Sequence, residues 1–497
     1  MDSKDRVDIL KTIPQKGFFG QPKGLSTLFF TEFWERFSYY GMRAILLYYM
    51  YYEITEGGLG LERTTANSIM AIYGSLVYMS GIIGGWIADR ILGMNRTVFY
   101  GGVLIMIGHI ILALPGGFIG LLISMLFIVI GTGLLKPNVG GMVGELYSKN
   151  DPRRDSGFSI YYMGINMGGF LAPLIVGTIG QTYSFHLGFG LAAVGMFAGL
   201  VVYLVTRKKY MGLAGMQVPN PLAPREKGKM TRIVLGSVLV VGLVGWLGFS
   251  QGWLSIERVI FFISILGVII PTIYFVVMYR SKKTTADERS RLLAYIPLFI
   301  AAMMFWAIAE QGSNILATYA NERVDLNFLG IELKSSWFQS FNPLFIVAFA
   351  PVFAWLWSKL GNRQPSTPMK FSIGLMFAGS SFIVMIFPAI FNGTGSLVNP
   401  MWLVLSFFLV VMGELLLSPV GLSATSKLAP AAFAAQMMSL WNLSNASAQA
   451  INAQVVRFYS VETEAIYFGV IGGFAIVLGI VLMFLSPKLK KFMRGIN

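Results

Sequence analysis

Four charged side chains interrupt a segment that is otherwise apolar enough to cross a membrane. The segment is FFTEFWERFSYYGMRAILLYYM, residues 29–50, and the charges are Glu32, Glu35, Arg36 and Arg43. A charged residue at the centre of a bilayer costs about 2.5–3.5 kcal/mol on insertion scales. Ionisable residues inside membranes are therefore usually paired and functional, and they face protein or water. We expect these four to line a polar interior.

Helical spacing places most of this charge on one face. At about 100° per residue, positions 32, 36, 39 and 43 form one narrow stripe. Glu32 precedes Arg36 by four residues, the order that favours an ion pair. The alternative is that the charges only mark the cytoplasmic end of a later span, but Arg43 lies too close to Glu53 for that. The segment is therefore predicted to be an amphipathic helix.

The composition is that of an integral membrane protein. The chain of 497 residues is 55% hydrophobic and 12% charged, with a mean hydropathy of +0.66, whereas soluble domains are about 25% charged. It has no cysteine and two histidines, which argues against disulfides and against thiolate or histidine-based metal centres. Residues 1–24 lack the apolar core of a signal peptide. Apolar runs of about 20 residues predict an all-α polytopic membrane protein and are too long for barrel strands.

The apolar runs and the charged loops between them predict fourteen spans. Six spans precede a basic linker and six follow a second basic loop, and the two spans between these carry no ionisable group except interfacial tyrosines. We expect this inserted pair on the lipid side of the bundle. Many secondary transporters have two six-helix halves with a site between them. The predicted spans are 25–52, 68–88, 97–115, 119–144, 158–181, 187–206, 233–250, 259–279, 293–320, 338–358, 371–391, 401–426, 432–459 and 465–486.

The distribution of lysine and arginine predicts the orientation. Thirty of the 38 basic residues lie in the two tails and the loops on the same side, and five lie in the opposite loops. Basic loops stay in the cytoplasm, so both termini are predicted to be cytoplasmic. The net charge of +15 is then an orientation signal, and no nucleic-acid partner is expected. The predicted units are a cytoplasmic tail 1–24, an N-terminal bundle 25–206, linkers with two peripheral helices 207–292, a C-terminal bundle 293–486 and a cytoplasmic tail 487–497.

Three later charges also lie inside predicted spans. They are Lys136 in GTGLLKPNVGG, Glu310 in MMFWAIAEQGSNILATYA and Glu414 in LVVMGELLLSPVGLSATS. At about 1.5 Å per residue, Arg43 and Glu310 lie at a similar depth in the outer half of the membrane. Lys136 and Glu414 lie at or below the middle. The depths predict two ion pairs, Arg43 with Glu310 and Lys136 with Glu414, that latch alternate sides of a central cavity.

Several motifs resemble those of known transporters. The loop GGWIADRILGMNR, residues 84–96, resembles the G-x-x-x-D-R-x-x-G motif of the major facilitator superfamily, and Asp89 and Arg90 are interpreted as conformational. The string E-x-x-E-R-F-x-Y-Y-G at 32–41 resembles the first-helix signature of proton-dependent oligopeptide transporters. YYMGINMGGF, 161–170, is similar to that family's F-Y-x-x-I-N-x-G-S-L motif, from which it departs with Tyr161 in place of Phe and Gly169 in place of Ser. GTGLLKPN, FWAIAEQGS and GELLLSPVG also look like family blocks.

This resemblance covers essentially the whole chain. It implies a major facilitator fold of 6+6 transmembrane helices with the two-helix insertion that is usual in bacterial members. It also implies a proton-coupled symporter that imports di- and tripeptides across the bacterial cell membrane by alternating access. Peptide-like drugs are expected as further cargo. No cofactor is expected, because the proton gradient supplies the energy. A monomer is expected to function alone.

The resemblance also implies roles for the buried charges. Arg36 and Lys136 are expected to meet the peptide carboxylate, Glu414 to hold the amino terminus, and Glu310 to be the protonation site facing Arg43. Elementary chemistry agrees, because a zwitterionic peptide needs a cation and an anion in one desolvated cavity. The planar fork of arginine can bond both carboxylate oxygens.

Some of the implied residues also have simpler explanations. Trp306 and Trp441 are alternatively packing aromatics, Tyr78 and Asn166 are alternatively engaged in helix hydrogen bonds, and Ser418 alternatively satisfies backbone freed by proline. The implied peptide-binding residues are Arg36, Arg43, Tyr40, Tyr78, Lys136, Asn166, Trp306, Glu310, Asn342, Glu414, Ser418 and Trp441, and the implied coupling residues are Glu310, Arg43, Glu32 and Glu35.

Two other functions compete with peptide uptake. The first is a carrier of the same fold for nitrate, a sugar or a drug, but a single-anion carrier has no need of Glu414 in its cavity. The second is a membrane-embedded enzyme, but no nucleophile–base pair is evident in any span. The sequence therefore favours a transporter and not an enzyme.

Overall fold

The computed structural model describes residues 9–148 and 151–494. In these ranges, fourteen helices of 18 or more residues dominate the fold, which agrees with the predicted all-α membrane protein. They are α1 Gly24–Tyr51, α2 Arg63–Ile87, α3 Met94–Ala113, α4 Gly117–Glu145, α5 Arg154–Thr182, α6 Phe185–Tyr210, α7 Pro224–Ser250, α8 Ile256–Arg280, α9 Ala286–Ala309, α10 Phe341–Leu360, α11 Thr367–Val384, α12 Met401–Leu428, α13 Ala434–Val455 and α14 Glu464–Phe492.

Twelve helical segments of the described chain are long and apolar enough to cross a membrane. The two long helices outside that set are α1, with its four charges, and α13, whose sequence AAQMMSLWNLSNASAQAINAQV is rich in polar residues. Both are central. Helix α1 packs against α5 and α6, and α13 packs against α2, α8 and α9. Neighbouring helices therefore surround the two most polar long helices, where their polar groups find protein partners.

The packing forms two groups of six helices. In the first group, α3 packs on α4 and α6, and α2 packs on α4. In the last group, α11 packs on α12 and α14, and α9 packs on α13. The two groups meet where α2 contacts α13 and where α5 contacts α10. Where α2 approaches α13, a side chain at Gly74 would overlap the side-chain amide of Gln449, which would then have to move.

Two predicted spans are broken helices, which corrects the sequence-based boundaries. Helix α9 ends at Ala309, a 3₁₀ turn occupies Glu310–Ser313, and a short helix continues over Ile315–Glu322. Asn314 caps that helix, because its side-chain oxygen accepts from the backbone N–H of Ile315 at 2.6 Å. The predicted span 371–391 likewise divides into α11 and a short helix, Phe387–Asn392, with a proline in its first turn.

The two inserted helices lie outside the groups of six, but they differ from each other. Helix α7 is exposed along nearly its whole length and has no extensive helix contact within the described ranges. Helix α8 instead lies across the seam between the groups, where it contacts α2 and α13. The hydroxyl of Ser447 donates to the Gly267 carbonyl at 2.6 Å, and Gln454 donates to Ser264 at 3.0 Å.

A fully buried ion pair joins the end of α9's extension to the start of α14. Arg323 donates to both carboxylate oxygens of Glu464 at 2.7–3.2 Å, and both side chains are 1% exposed. Arg323 also donates to the carbonyl of Gly393 at 3.3 Å. One guanidinium therefore connects the extension of α9, the start of α14 and the loop at Gly393.

Substitution of one partner tests the structural role of this pair. We expect Arg323→Met to lower the free energy of unfolding by about 3–5 kcal/mol, because it leaves a buried carboxylate without its cation. Replacing both partners, in R323M/E464M, should recover most of that loss. Thermal unfolding in detergent measures both, with E332Q in an exposed ion pair as the control. A single variant as stable as the parent would contradict the assignment.

Candidate functional site

Three charges form a buried cluster in the first half of α1. The Nε of Arg36 lies 2.5 Å from Glu35 and 3.2 Å from Glu32, and the three residues are at most 2% exposed. One oxygen of each carboxylate and the Nη2 of Arg36 have no hydrogen-bond partner among the described residues. Buried polar groups without partners are costly. The cluster therefore holds buried hydrogen-bonding groups that the described residues leave unused.

Two tyrosines lie beside the guanidinium of Arg36. The guanidinium carbon is 5.3 Å from the ring centre of Tyr39 and 5.8 Å from that of Tyr40. Both separations are short enough for cation–π attraction. The Tyr40 ring lies against α5, where a Cβ on Gly169 would approach it to 3.2 Å. That contact is tighter than most Cβ contacts, so a side chain at 169 requires the Tyr40 ring to move by a few tenths of an ångström.

Arg43 and Glu310 form the predicted ion pair. The Nη2 of Arg43 lies 2.6 Å from Glu310 Oε2, while Asn445 and Tyr78 donate to Oε1 at 2.8 and 3.4 Å. Glu310 directly follows the C-terminus of α9, where the helix dipole disfavours a negative charge. The carboxylate therefore depends on its three donors, and the pair joins the first group of helices to the last.

The second predicted pair, Lys136 with Glu414, is not formed in this structure. The Nζ of Lys136 lies 4.2 Å from the ring centre of Tyr78, and Glu414 accepts a hydrogen bond from Asn342 at 3.2 Å. No ion pair joins Lys136 to Glu414 among the described residues. The two residues belong to different groups of helices, so their pairing depends on the separation of the groups at this depth.

The two groups are fastened at one end of the bundle, which we call the closed end. It is the end where α1 finishes and α2 begins, opposite the end that carries the chain termini. Hydrogen bonds between the groups, as far as the chain is described, run from the middle of the bundle to this end. They include Tyr48 to the Ala317 carbonyl, Tyr52 to Asn321, Gln181 to Ser335, Trp337 to Thr178 and Ser340 to the Phe170 carbonyl, at 2.7–3.1 Å.

Two predicted residues are engaged within their own group of helices. The amide of Asn166 donates to the Tyr162 carbonyl of the same helix at 2.9 Å. The ring of Trp441 is 8% exposed and packs near Phe371, and it fills the space that a side chain at Gly421 would need. The simpler explanations for these residues, helix hydrogen bonding and packing, describe their contacts in this structure.

Two other predicted residues lie four residues from a charged one in the sequence. Trp306 is half-buried, edge-on to Phe305, and one helical turn before Glu310. Ser418 is half-buried and one turn after Glu414 on α12. Side chains four residues apart lie on the same face of a helix, so Ser418 shares a face of α12 with Glu414, whereas Trp306 lies four residues before the break at Glu310.

The loop motif after α2 is tied to the linker that leads to α7. The carbonyls of Asp89 and Arg90 accept hydrogen bonds from the backbone N–H groups of Asn220 and Leu222 at 3.0 and 3.1 Å. The guanidinium of Arg90 reaches Glu226 at 3.4 Å in the first turn of α7. Arg90 therefore stabilises the start of α7, the first of the two inserted helices.

Sequence reasoning missed a polar row on α13 that supports Glu310. Gln449 donates to Asn445 at 2.9 Å, and Asn445 in turn donates to Glu310. Gln311 donates to Asn452 at 3.2 Å and so fixes the turn just after Glu310. The signal was available in NLSNASAQAINAQ, because these residues recur there at the three- and four-residue spacing of one helix face.

The sequence and the structure both match known proteins. A family model described as PTR2, POT family, matches residues 95–473. A di-/tripeptide transporter of Lactococcus lactis subsp. cremoris is 49% identical over 491 residues and covers 97% of this chain and 99% of its own. A crystal structure of peptide transporter POT in complex with sulfate has a TM-score of 0.96 at 64% identity, covering 99% of this chain and 100% of its own. A POT family transporter in complex with thioalcohol conjugated peptide has a TM-score of 0.92 at 49% identity, covering 97% and 99%.

The support of Glu310 by α13 can be tested by removing the amide. We expect Asn445→Leu to lower the free energy of unfolding by about 1–3 kcal/mol, because a buried carboxylate oxygen and the Gln449 amide lose a partner. The loss should be smaller in an E310Q background, where the acceptor is no longer charged. Thermal unfolding in detergent measures the cycle, and Asn442→Leu, exposed on the same helix, is the matched control. Equal losses in both backgrounds would contradict the contact.

Proposed function

This chain belongs to the POT family, and we propose that it is a proton-coupled symporter that imports di- and tripeptides by alternating access. It is a transporter and not an enzyme. The observation that carries the proposal is the Arg43–Glu310 pair, which fastens one end of the bundle while Lys136 and Glu414 stay apart. The Arg43–Glu310 pair is formed and the Lys136–Glu414 pair is not, which is what we expect of a carrier in one of its two access states.

We propose that the peptide lies between the cation cluster and Glu414. Its carboxylate binds Arg36, whose Nη2 has no partner among the described residues, together with Lys136. Its amino terminus binds Glu414 and Asn342, which already share a hydrogen bond. Charge-assisted hydrogen bonds at both ends of a zwitterion are strong. They favour a peptide over nitrate or a sugar, the alternative cargo for this fold, since neither of those offers an ammonium group.

We propose that Glu310 carries the coupling proton. Protonation removes the charge that holds Arg43, and loss of one partner of a buried ion pair costs about 3–5 kcal/mol. Moving a two-state equilibrium from 1:99 to 99:1 takes about 5.5 kcal/mol. Protonation alone therefore supplies most of the shift, and differential peptide binding must supply the rest. Glu32 and Glu35 adjust the charge around Arg36 as the peptide arrives and leaves.

We propose that both chain termini lie in the cytoplasm, because most lysines and arginines lie in the tails and loops at that end. The closed end then faces the outside of the cell membrane, and the structure is an inward-facing state.

We also propose that a single chain is the working unit and that peptide-like drugs are further cargo. The order of events is outward-facing uptake, closure of the Arg43–Glu310 latch and release to the cytoplasm.

Transport into proteoliposomes tests the function directly. With an inward proton gradient, we expect labelled dialanine to accumulate, unlabelled di- and tripeptides to compete, and a carboxyl-amidated dipeptide to compete at least tenfold less well. Glu310→Gln should abolish gradient-driven accumulation but leave exchange of peptide across the membrane, because the binding residues remain. E332Q, at an exposed carboxylate, is the control. Accumulation that ignores dipeptides would refute peptide transport, and E310Q accumulation equal to the parent would refute the coupling site.

Alternating access predicts that a crosslink between the two groups stops transport. A Cβ on Gly169 would lie 3.7 Å from Cβ of Pro343, on α5 and α10. That separation is close to the mean of about 3.8 Å in disulfides. Oxidation of G169C/P343C should therefore form a crosslink and reduce uptake at least tenfold, with recovery on reduction. The chain has no native cysteine to interfere.

Two controls separate locking from damage at the site. The single variants G169C and P343C, treated with the same oxidant, give the reference uptake, because a side chain at 169 also meets the ring of Tyr40. Equilibrium binding of a dipeptide to the crosslinked protein should persist, since the inward-facing site stays open. A crosslinked double variant that still accumulates peptide would contradict the alternation of the two groups.

A further inference from the structure

A cavity of about 650 Å³ lies in the last group of helices, at the end of the bundle that carries the chain termini. Its walls come from α10 and α12, and it is completed by the segment that begins α11 and by the end of α14. None of its lining residues is acidic, and three are lysines, Lys370, Lys427 and Lys490. The lining of the cavity therefore carries positive charge.

Lys370 is the most buried of these cations. The residue is 7% exposed, and its Nζ donates to the amide oxygen of Gln364 at 2.8 Å and lies 4.0 Å from the ring centre of Trp357. Both partners are neutral, and no ion pair to Lys370 occurs in the described ranges. Because a buried charge is costly without an opposite charge, the site favours an anion.

The cavity is charged at one end and apolar at the other. Lys370 lies in the first turn of α11, and Lys427 and Lys490 lie in the last turns of α12 and α14. The apolar wall includes Phe353 and Leu415. Phe353 lies seven residues before the end of α10, and Leu415 lies thirteen before the end of α12, so they are about two and about three and a half helical turns inside the bundle. A ligand that fits must carry a negative group at the membrane surface and an apolar chain at hydrocarbon depth.

This cavity is distinct from the proposed peptide site. Ser423 and Lys427 of the cavity wall follow Glu414 by nine and thirteen residues. Nine residues are two and a half helical turns and thirteen are slightly more than three and a half, so both side chains point away from the direction of Glu414. Glu414 faces Asn342, and this part of the cavity wall therefore lies on the opposite face of the helix. A peptide between Arg36 and Glu414 would not reach the lysines.

We propose that this cavity binds one anionic phospholipid of the surrounding membrane. The headgroup phosphate binds Lys370, Lys427 and Lys490, and one acyl chain lies against Phe353 and Leu415. Each lysine near an anionic headgroup contributes about fivefold to affinity. A free phosphate would use the lysines but leave the apolar wall empty, so a lipid uses more of the site than a soluble anion does.

Native mass spectrometry of the full chain in detergent tests the proposal. The probes are phosphatidylglycerol, phosphatidylcholine with the same acyl chains, and inorganic phosphate. We expect one phosphatidylglycerol to be retained at least tenfold more tightly than phosphatidylcholine. Lys490→Gln and Lys370→Gln should each weaken that binding about fivefold. Lys491→Gln, the next residue of α14 and outside the cavity lining, should leave it unchanged.

Each other outcome overturns part of the proposal. Equal retention of the two lipids would overturn the anion site. Displacement of phosphatidylglycerol by inorganic phosphate at comparable concentration would overturn the lipid in favour of a soluble anion. Lys490 is exposed, so K490Q should fold even where K370Q does not, and identical lipid binding by K490Q and K491Q would overturn the role of the lysines.

Discussion

The architecture depends on the cost of holding a charge where water cannot solvate it. Arg43 and Glu310 stabilise each other in the interior, because the separation of two charged partners exposes both to the desolvation penalty. Three elements of the fold hold that pair in place. Helix α1 is enclosed by its neighbours, α9 breaks at Glu310 to present the carboxylate, and Asn445 of α13 supplies a further donor. The charges of α1 and the break in α9 would be unfavourable in isolated membrane helices. Here they bring Arg43 and Glu310 together.

The cost of separation also makes the pair suitable as a latch. It joins the two groups of helices, and the hydrogen bonds around it fasten the same end of the bundle. Lys136 and Glu414 lie nearer the other end and are held by Tyr78 and Asn342 instead. In the proposed cycle a proton and a peptide decide which pair of charges is satisfied. In that cycle, proton and peptide binding at a few side chains moves the two groups of helices relative to each other.

Much of this arrangement could be predicted from the sequence, and the failures have physical causes. The depth of Arg43 and Glu310 follows from helix rise, so their pairing was predictable. The pairing of Lys136 with Glu414 depends on how the helix groups are disposed, which helix rise cannot give. The break after α9 falls on EQGSN, residues 310–314, and it was missed because the apolar residues on both sides were read as one span. The row led by Asn445 was missed because amides carry no charge, although their helical spacing was visible.

The central claim is that protonation of Glu310 opens the closed end. The most direct measurement is the distance between spin labels on cysteines that replace two exposed residues at that end, Ile54 in the turn between α1 and α2 and Ile331 in the short hairpin before α10. With a dipeptide present, the account predicts that acidification lengthens this distance in the otherwise native chain. In E310Q the longer distance should already be populated at neutral pH. A distance that is unchanged by acid and identical in E310Q would contradict the account.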